Sequence, residues 1–210
     1  METYKQLVLY GLKNEFSSTE EPKATKEGSH VPFYKTQNFG DALMTVHDLE
    51  RTGVLWARGP VPEQEAKIEF LQGKIISAVT GDTTGLKAIY RVFLWDSPRF
   101  LFYRKDPNEA VLVEQLDASM RHLVKQGEML RDRYEKIRKE LPPDSIRLEI
   151  DSHALHKDTA LAFVDFSTLA STVEFGVVAH ILDYNPLPDV DIYESLIRLR
   201  KHKIVRVSAA

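Results

Sequence analysis

Between Val113 and Leu141 the apolar residues fall at alternating steps of three and four: Val113, Leu116, Met120, Leu123, Gly127, Leu130, Tyr134, Ile137 and Leu141. Such spacing predicts a long α-helix, because the 3.6-residue period returns these positions to one face. The helix must end before Pro142 and Pro143, whose rings and missing amides break the ladder. Gly127 costs roughly 1 kcal/mol in helix propensity, so its place in the stripe predicts a close neighbour. Asp117 with Arg121, Asp132 with Lys136 and Glu135 with Lys139 stand at i,i+4 and are expected to pair, each worth about 0.3 kcal/mol. Two arrangements satisfy the seam. It packs along a sheet of its own chain, or it forms a homodimer through residues 113–141 with Leu116, Leu123 and Leu130 at the contact.

Upstream, Tyr4, Leu7, Val8 and Leu12 fall at helical spacing, although the run "LVLY" reads equally as a strand. The polar "SSTEEPKATKEGSH" after them reads as a linker. Residues 1–31 are therefore expected to be an N-terminal arm. From Asn38 the pattern changes. Phe39, Ala42, Leu43, Val46 and Leu49 make one helix face, with Asn38 as its cap and Gly53 as its stop. Alternating residues in "VLWAR", "AKIEF" and "KIISAV" predict antiparallel strands, and "SPRFLFYRK" a further one. Between them "GKIISAVTGDTTGLKAI" imitates a phosphate-binding loop. A Walker loop, however, sets Lys directly after Gly and a hydroxyl after the Lys. Here Leu86 separates Gly85 from Lys87, and Ala88 follows. The segment reads instead as a strand-to-helix turn capped by Asp82 or Thr83, leading into a helix carrying Leu86, Ile89, Tyr90 and Phe93.

Beyond the long helix, Val173, Val177, Val178 and Ile181 are expected on one helix face. Then "DYNPLPD" forms a turn, Tyr193, Leu196 and Ile197 mark a second helix, and "KIVRV" a strand. The expected fold class is α+β: an antiparallel β-meander with packed helices, a long connecting helix and a small C-terminal helix-turn-helix or winged-helix-like module. The domains read as 32–143 and 144–210.

Composition limits the chemistry. The 210 residues are 43% hydrophobic, enough for a real core, and the formal charge of -3 provides no general attraction to phosphate backbones. With no cysteine, thiolate nucleophiles, disulfides and Cys-held metals are excluded. Neither a signal peptide nor a membrane-spanning apolar stretch is read, which agrees with the cytoplasmic setting that the family resemblance given below implies. No hydrolase, zincin or dinucleotide motif occurs. His153 and His156, at i,i+3 with Asp151 or Asp158, would form at most an incomplete metal site, and no metal or cofactor is assigned. Arg198, Arg200, Lys201, Lys203 and Arg206 make a basic strip. Asp189, Asp191 and Glu194 instead favour the positive end of the last helix and oppose insertion of that end into a DNA groove. From Asp151 onward six Lys/Arg face eight Asp/Glu.

The ordered set Thr52, Gly53, Leu55, Phe70, Gly73, Ile75, Ala78, Gly85, Ala88, Trp95, Phe100 and Phe102 resembles the PATAN domain, a module of bacterial signalling proteins. Pro98-Arg99 departs from the Gly that commonly precedes the Phe. The likeness covers residues 37–104, and "RDRYEKIRKELP" is similar to the helix that commonly trails the domain. It implies a non-enzymatic protein-interaction adaptor in signal transduction, of a family often fused to receiver domains and connected with type IV pili and motility. No receiver domain fits the first 36 residues. The alternative is a DNA-binding transcriptional regulator working through the C-terminal module. The partner is thus expected to be a protein, with nucleic acid the lesser expectation.

Overall fold

The computed structural model describes residues 31–32, 38–105, 119–154 and 161–208. Val31–Ala210 cluster as one compact unit, and the expected arm of residues 1–31 lies outside the described residues apart from Val31. The fold is α+β.

A six-stranded antiparallel sheet carries the first half. Its strands are β1 (Val31–Pro32), β2 (Gly53–Arg58), β3 (Glu65–Leu71), β4 (Lys74–Thr80), β5 (Thr83–Thr84) and β6 (Arg99–Arg104), in the order β1-β6-β2-β3-β4-β5. Alternation decides which face is covered: Ala66, Ile68 and Phe70 of β3 are buried, while Lys67 and Glu69 between them face outward and pair at 2.7 Å. Gln72 and Gly73, both with positive φ (48° and 75°), close the β3–β4 hairpin as the mirror-image turn that suits strand twist. The Gly73 amide donates to Arg51 O at 2.9 Å, and His47 Nδ1 lies 3.0 Å from Gly73 O, latching the hairpin to the preceding helix and the loop after it.

That helix, α1 (Phe39–Asp48), begins where expected, with Asn38 Oδ1 accepting from the Asp41 amide at 2.8 Å. It ends earlier than its expected stop. Gly53 instead opens β2, where a β-carbon would come within 3.0 Å of Arg104 Cα on the neighbouring strand. Helix α2 (Gly85–Phe93) also departs from expectation: its cap residue is Thr84, with no side-chain capping bond, and Asp82 and Thr83 belong to the turn and short strand before it. α1 and α2 close over the sheet on a core containing Leu43, Leu55, Ile68, Ile89, Phe93 and Phe102.

The long helix α3 (Met120–Ile137) joins two cores. Met120 and Leu123 are buried in the sheet-bearing lobe; Tyr134 and Ile137 pack against a second apolar cluster around Ile181, Ile192 and Leu199. The seam is therefore used within the chain. Leu123 and Leu130 are buried within the chain, the first of the two expected arrangements at these positions, and Val113 and Leu116 lie outside the described residues. Glu135 turns to Arg131 (3.9 Å) and Arg138 (3.7 Å) in place of Lys139.

The second lobe holds β7 (Leu148–Ile150), α4 (Phe163–Phe175), α5 (Val178–Tyr184), α6 (Asp189–Lys201) and β8 (Val205–Val207). α5, a tight turn, α6 and a strand follow in the expected order; β8 pairs with β7, which precedes all three helices. The expected single face of Val173, Val177, Val178 and Ile181 is broken at Gly176 (φ 69°). Val178 and Ile181 are buried in α5, while Val173 ends on the outside of α4.

Candidate interaction surface

The two lobes meet through charge. α2 sets Lys87 and Arg91 one turn apart, facing the end of α5 and the start of α6. Arg91 donates from Nε to Asp189 Oδ2 (2.6 Å), from Nη1 to Asp183 Oδ1 (2.6 Å) and from Nη2 to Leu182 O (3.0 Å). Lys87 Nζ donates to the Leu182 and Asn185 carbonyls and lies 3.3 Å from Asp189 Oδ1. Two cations thus satisfy carbonyls at the negative end of α5. Burial lowers the Lys87 pKa from its ordinary value, with Asp189 opposing; the Arg91 pKa is raised because its bonds to Asp189 and Asp183 outweigh burial.

A depressed lysine in a cleft resembles a nucleophile. Here a cleft of about 440 Å³ does open beside it, with Asp82 and Asp183 on its wall. Each of the three Lys87 protons nevertheless has an acceptor, which favours the protonated amine. With Lys87 committed to these acceptors, the residues lining the cleft offer phosphate no uncommitted cation.

The charged residues of α6 are engaged in the same way. Arg133 on α3 reaches Asp191 at 2.6 Å and Glu194 at 2.7 Å, so the acidic start of α6 is paired from two other helices. Of the basic strip, Arg198 bonds Asp165 (2.6 Å), Lys201 pairs with Glu140 (3.1 Å) and Arg206 with Glu149 (3.6 Å). Arg200 and Lys203 are exposed with no ion pair among the described residues. The strip is thus mostly tied down.

α4 is built inside out. Its buried side is mostly polar: Asp165, Thr168, Ser171 and Thr172 accompany a single buried apolar side chain, Leu169, which joins the second core. Each polar one has a partner, as buried polar groups require. Asp165 accepts from Arg198, from Ser195 Oγ (2.7 Å) and, reaching back one turn, from the Ala162 amide (2.9 Å). Burial raises the carboxyl's pKa, but these bonds outweigh burial and leave it below the ordinary value. Asn185 in the α5–α6 turn donates to Ser171 Oγ (2.9 Å) and Ser167 O (3.1 Å), while Thr168 and Thr172 donate back along the helix. With hydrogen bonds occupying most of the inner side, Leu169 and Phe175 of the apolar residues pack inward, and three others fall outside. Phe163 is 78% exposed, Phe166 60% and Val173 76%, with Ala170 exposed between them.

Sequence reasoning missed this face, although the run "FVDFSTLASTV" carries its signal at i, i+3, i+7 and i+10. The family-pattern residues lie elsewhere. Leu55, Phe70, Ile75, Ala78, Ala88, Trp95, Phe100 and Phe102 are buried in the first core; Gly73 and Gly85 occupy positive φ; and Thr52 Oγ1 accepts from the Gln72 amide at 3.0 Å. The pattern describes scaffold. Among the described residues no cluster of three or more potential ligands could hold a metal ion, and no helix is long and apolar enough to cross a membrane. His156 and Asp158 lie outside the described residues, and Asp151 accepts from the His153 amide. Comparisons with family models, with curated proteins and with solved structures found no match.

Proposed function

We propose that this chain is a non-enzymatic protein–protein interaction adaptor, working in the cytoplasm in bacterial signal transduction or the regulation of motility and polarity. One observation carries the reading: the outward apolar face of α4, held by a fully bonded polar underside. An exposed apolar stripe on a well-anchored helix is the usual form of a protein contact. Two further points support it. The PATAN-like residues build the first core, as a scaffold for surface recognition requires, and the most nucleophile-like group, Lys87, is fully engaged in fastening the lobes.

Affinity capture from the native cell with cross-linking mass spectrometry tests the proposal, using the wild-type chain and the Phe163→Ser/Phe166→Ser double variant. The expected result is a protein cross-linked at α4 and lost in the variant. Turnover of a nucleotide or phosphorylated substrate, with no protein contact at α4, overturns the reading.

A further inference from the structure

We infer that the α4 face binds α4 of a second copy of this chain, antiparallel across a two-fold axis. The inference rests on the reading of α4 as a protein contact and names its occupant. The stripe is symmetric about position 168. Reversing the helix there sets Phe163 opposite Val173 and Phe166 opposite Ala170, so each larger side chain meets a smaller one. This is the complementarity that an isologous interface needs, since a single patch must fit itself. It is also the a-against-d pairing of an antiparallel helix seam, in which knobs fill facing holes.

Area and charge agree. Phe163, Phe166 and Val173 at their observed exposures present roughly 400 Å² of apolar surface. A small stable interface buries about 800 Å² on each partner, a little over half of it apolar, so the stripe matches the greasy centre of such a contact. The same reversal sets exposed Glu174 opposite position 162, at the positive end of the partner's helix. Among the described residues, the exposed positions of α4 itself carry no Lys or Arg of the kind that would favour an anionic membrane surface.

The test is the mass of the full chain by light scattering and sedimentation from 1 to 100 μM, with circular dichroism as a folding control. Wild type is expected to sediment as a dimer. Phe166→Asp, at an exposed position, should keep its helical spectrum and weaken the dimer about 100-fold. The register has its own check. Phe166→Ala leaves a hole and Ala170→Phe sets two rings against each other, so each alone weakens the dimer, while the Phe166→Ala/Ala170→Phe exchange restores it.

A monomeric wild type at 100 μM overturns the inference, as does a dimer indifferent to Phe166→Asp or an exchange that fails to restore binding. Binding of the wild type to phosphatidylglycerol vesicles through Phe163 and Phe166, in place of dimerisation, also overturns it. A monomer that still captures a different protein through α4 sinks this inference and leaves the adaptor reading standing.

Discussion

Gly127 of α3 lies against the ring of Phe93, and a β-carbon added there would overlap that ring, standing 2.7 Å from its Cγ. The glycine is where the long helix meets the end of α2. Phe93 has little room to move, since it packs edge-on against Phe39 with ring centroids 4.7 Å apart. Gly127→Ala therefore sets a propensity gain of about 1 kcal/mol against overpacking of about 1–3 kcal/mol or more. The expected net effect is destabilisation of about 1 kcal/mol, read from the urea midpoint. A more stable variant contradicts the close approach.

Leu123 separates the internal use of the α3 seam from an external one. Leu123→Ala should cost about 3 kcal/mol through the cavity it leaves and leave the oligomeric state unchanged. Denaturant melts paired with sedimentation check both halves. A change of mass with little loss of stability would place the seam between copies.

The Arg91–Asp189 pair is expected to matter most among the polar contacts, because the arginine is mostly buried and the aspartate almost wholly so. Arg91→Met leaves Asp189 with Lys87 alone and removes the bonds to Asp183 and Leu182. Breaking such a pair costs about 3 kcal/mol, which for a chain of this size lowers Tm by roughly 10 °C. Calorimetry reads the shift, and an unchanged Tm would show that the clamp contributes nothing.

Asp165 gives a pH dependence with a definite sign. Its folded pKa is depressed, chiefly by Arg198 and Ser195 working against burial. Its contribution is therefore fully present above the unfolded value of about 3.9 and is lost as pH falls through the lower folded value. Asp165→Asn should cost about 2 kcal/mol at pH 7 and flatten the stability profile below pH 4. A variant with the wild-type acid slope would show that Asp165 is not the group responsible.

The apolar elements were legible because burial imposes a period. Strand alternation in β3, the Asn38 cap and the Met120–Ile137 part of the long helix stand where spacing put them. Gly53 was misread because a glycine after a helix signals a stop locally, whereas its pairing with Phe70 and Arg104 depends on partners far along the chain. The exposed apolar face of α4 was missed for a related reason. In α4 the hydrogen bonds from Asn185, Arg198 and Ser195 override the rule that apolar residues turn inward, and those donors are 14 to 33 positions away from the groups they meet. Lys87 and Arg91 were hidden in the same way, since their acceptors on α5 and α6 lie about 90 to 100 positions downstream.

The join between the lobes around Arg91 is a layer of ions lying between two separate oily interiors. A crack opening along that layer would wet carboxylates and guanidinium groups first, while α3, which contributes to both interiors, still tied the halves together. Salt would do little to widen it, because Arg91 and Asp189 are mostly withdrawn from the water that carries the screening ions.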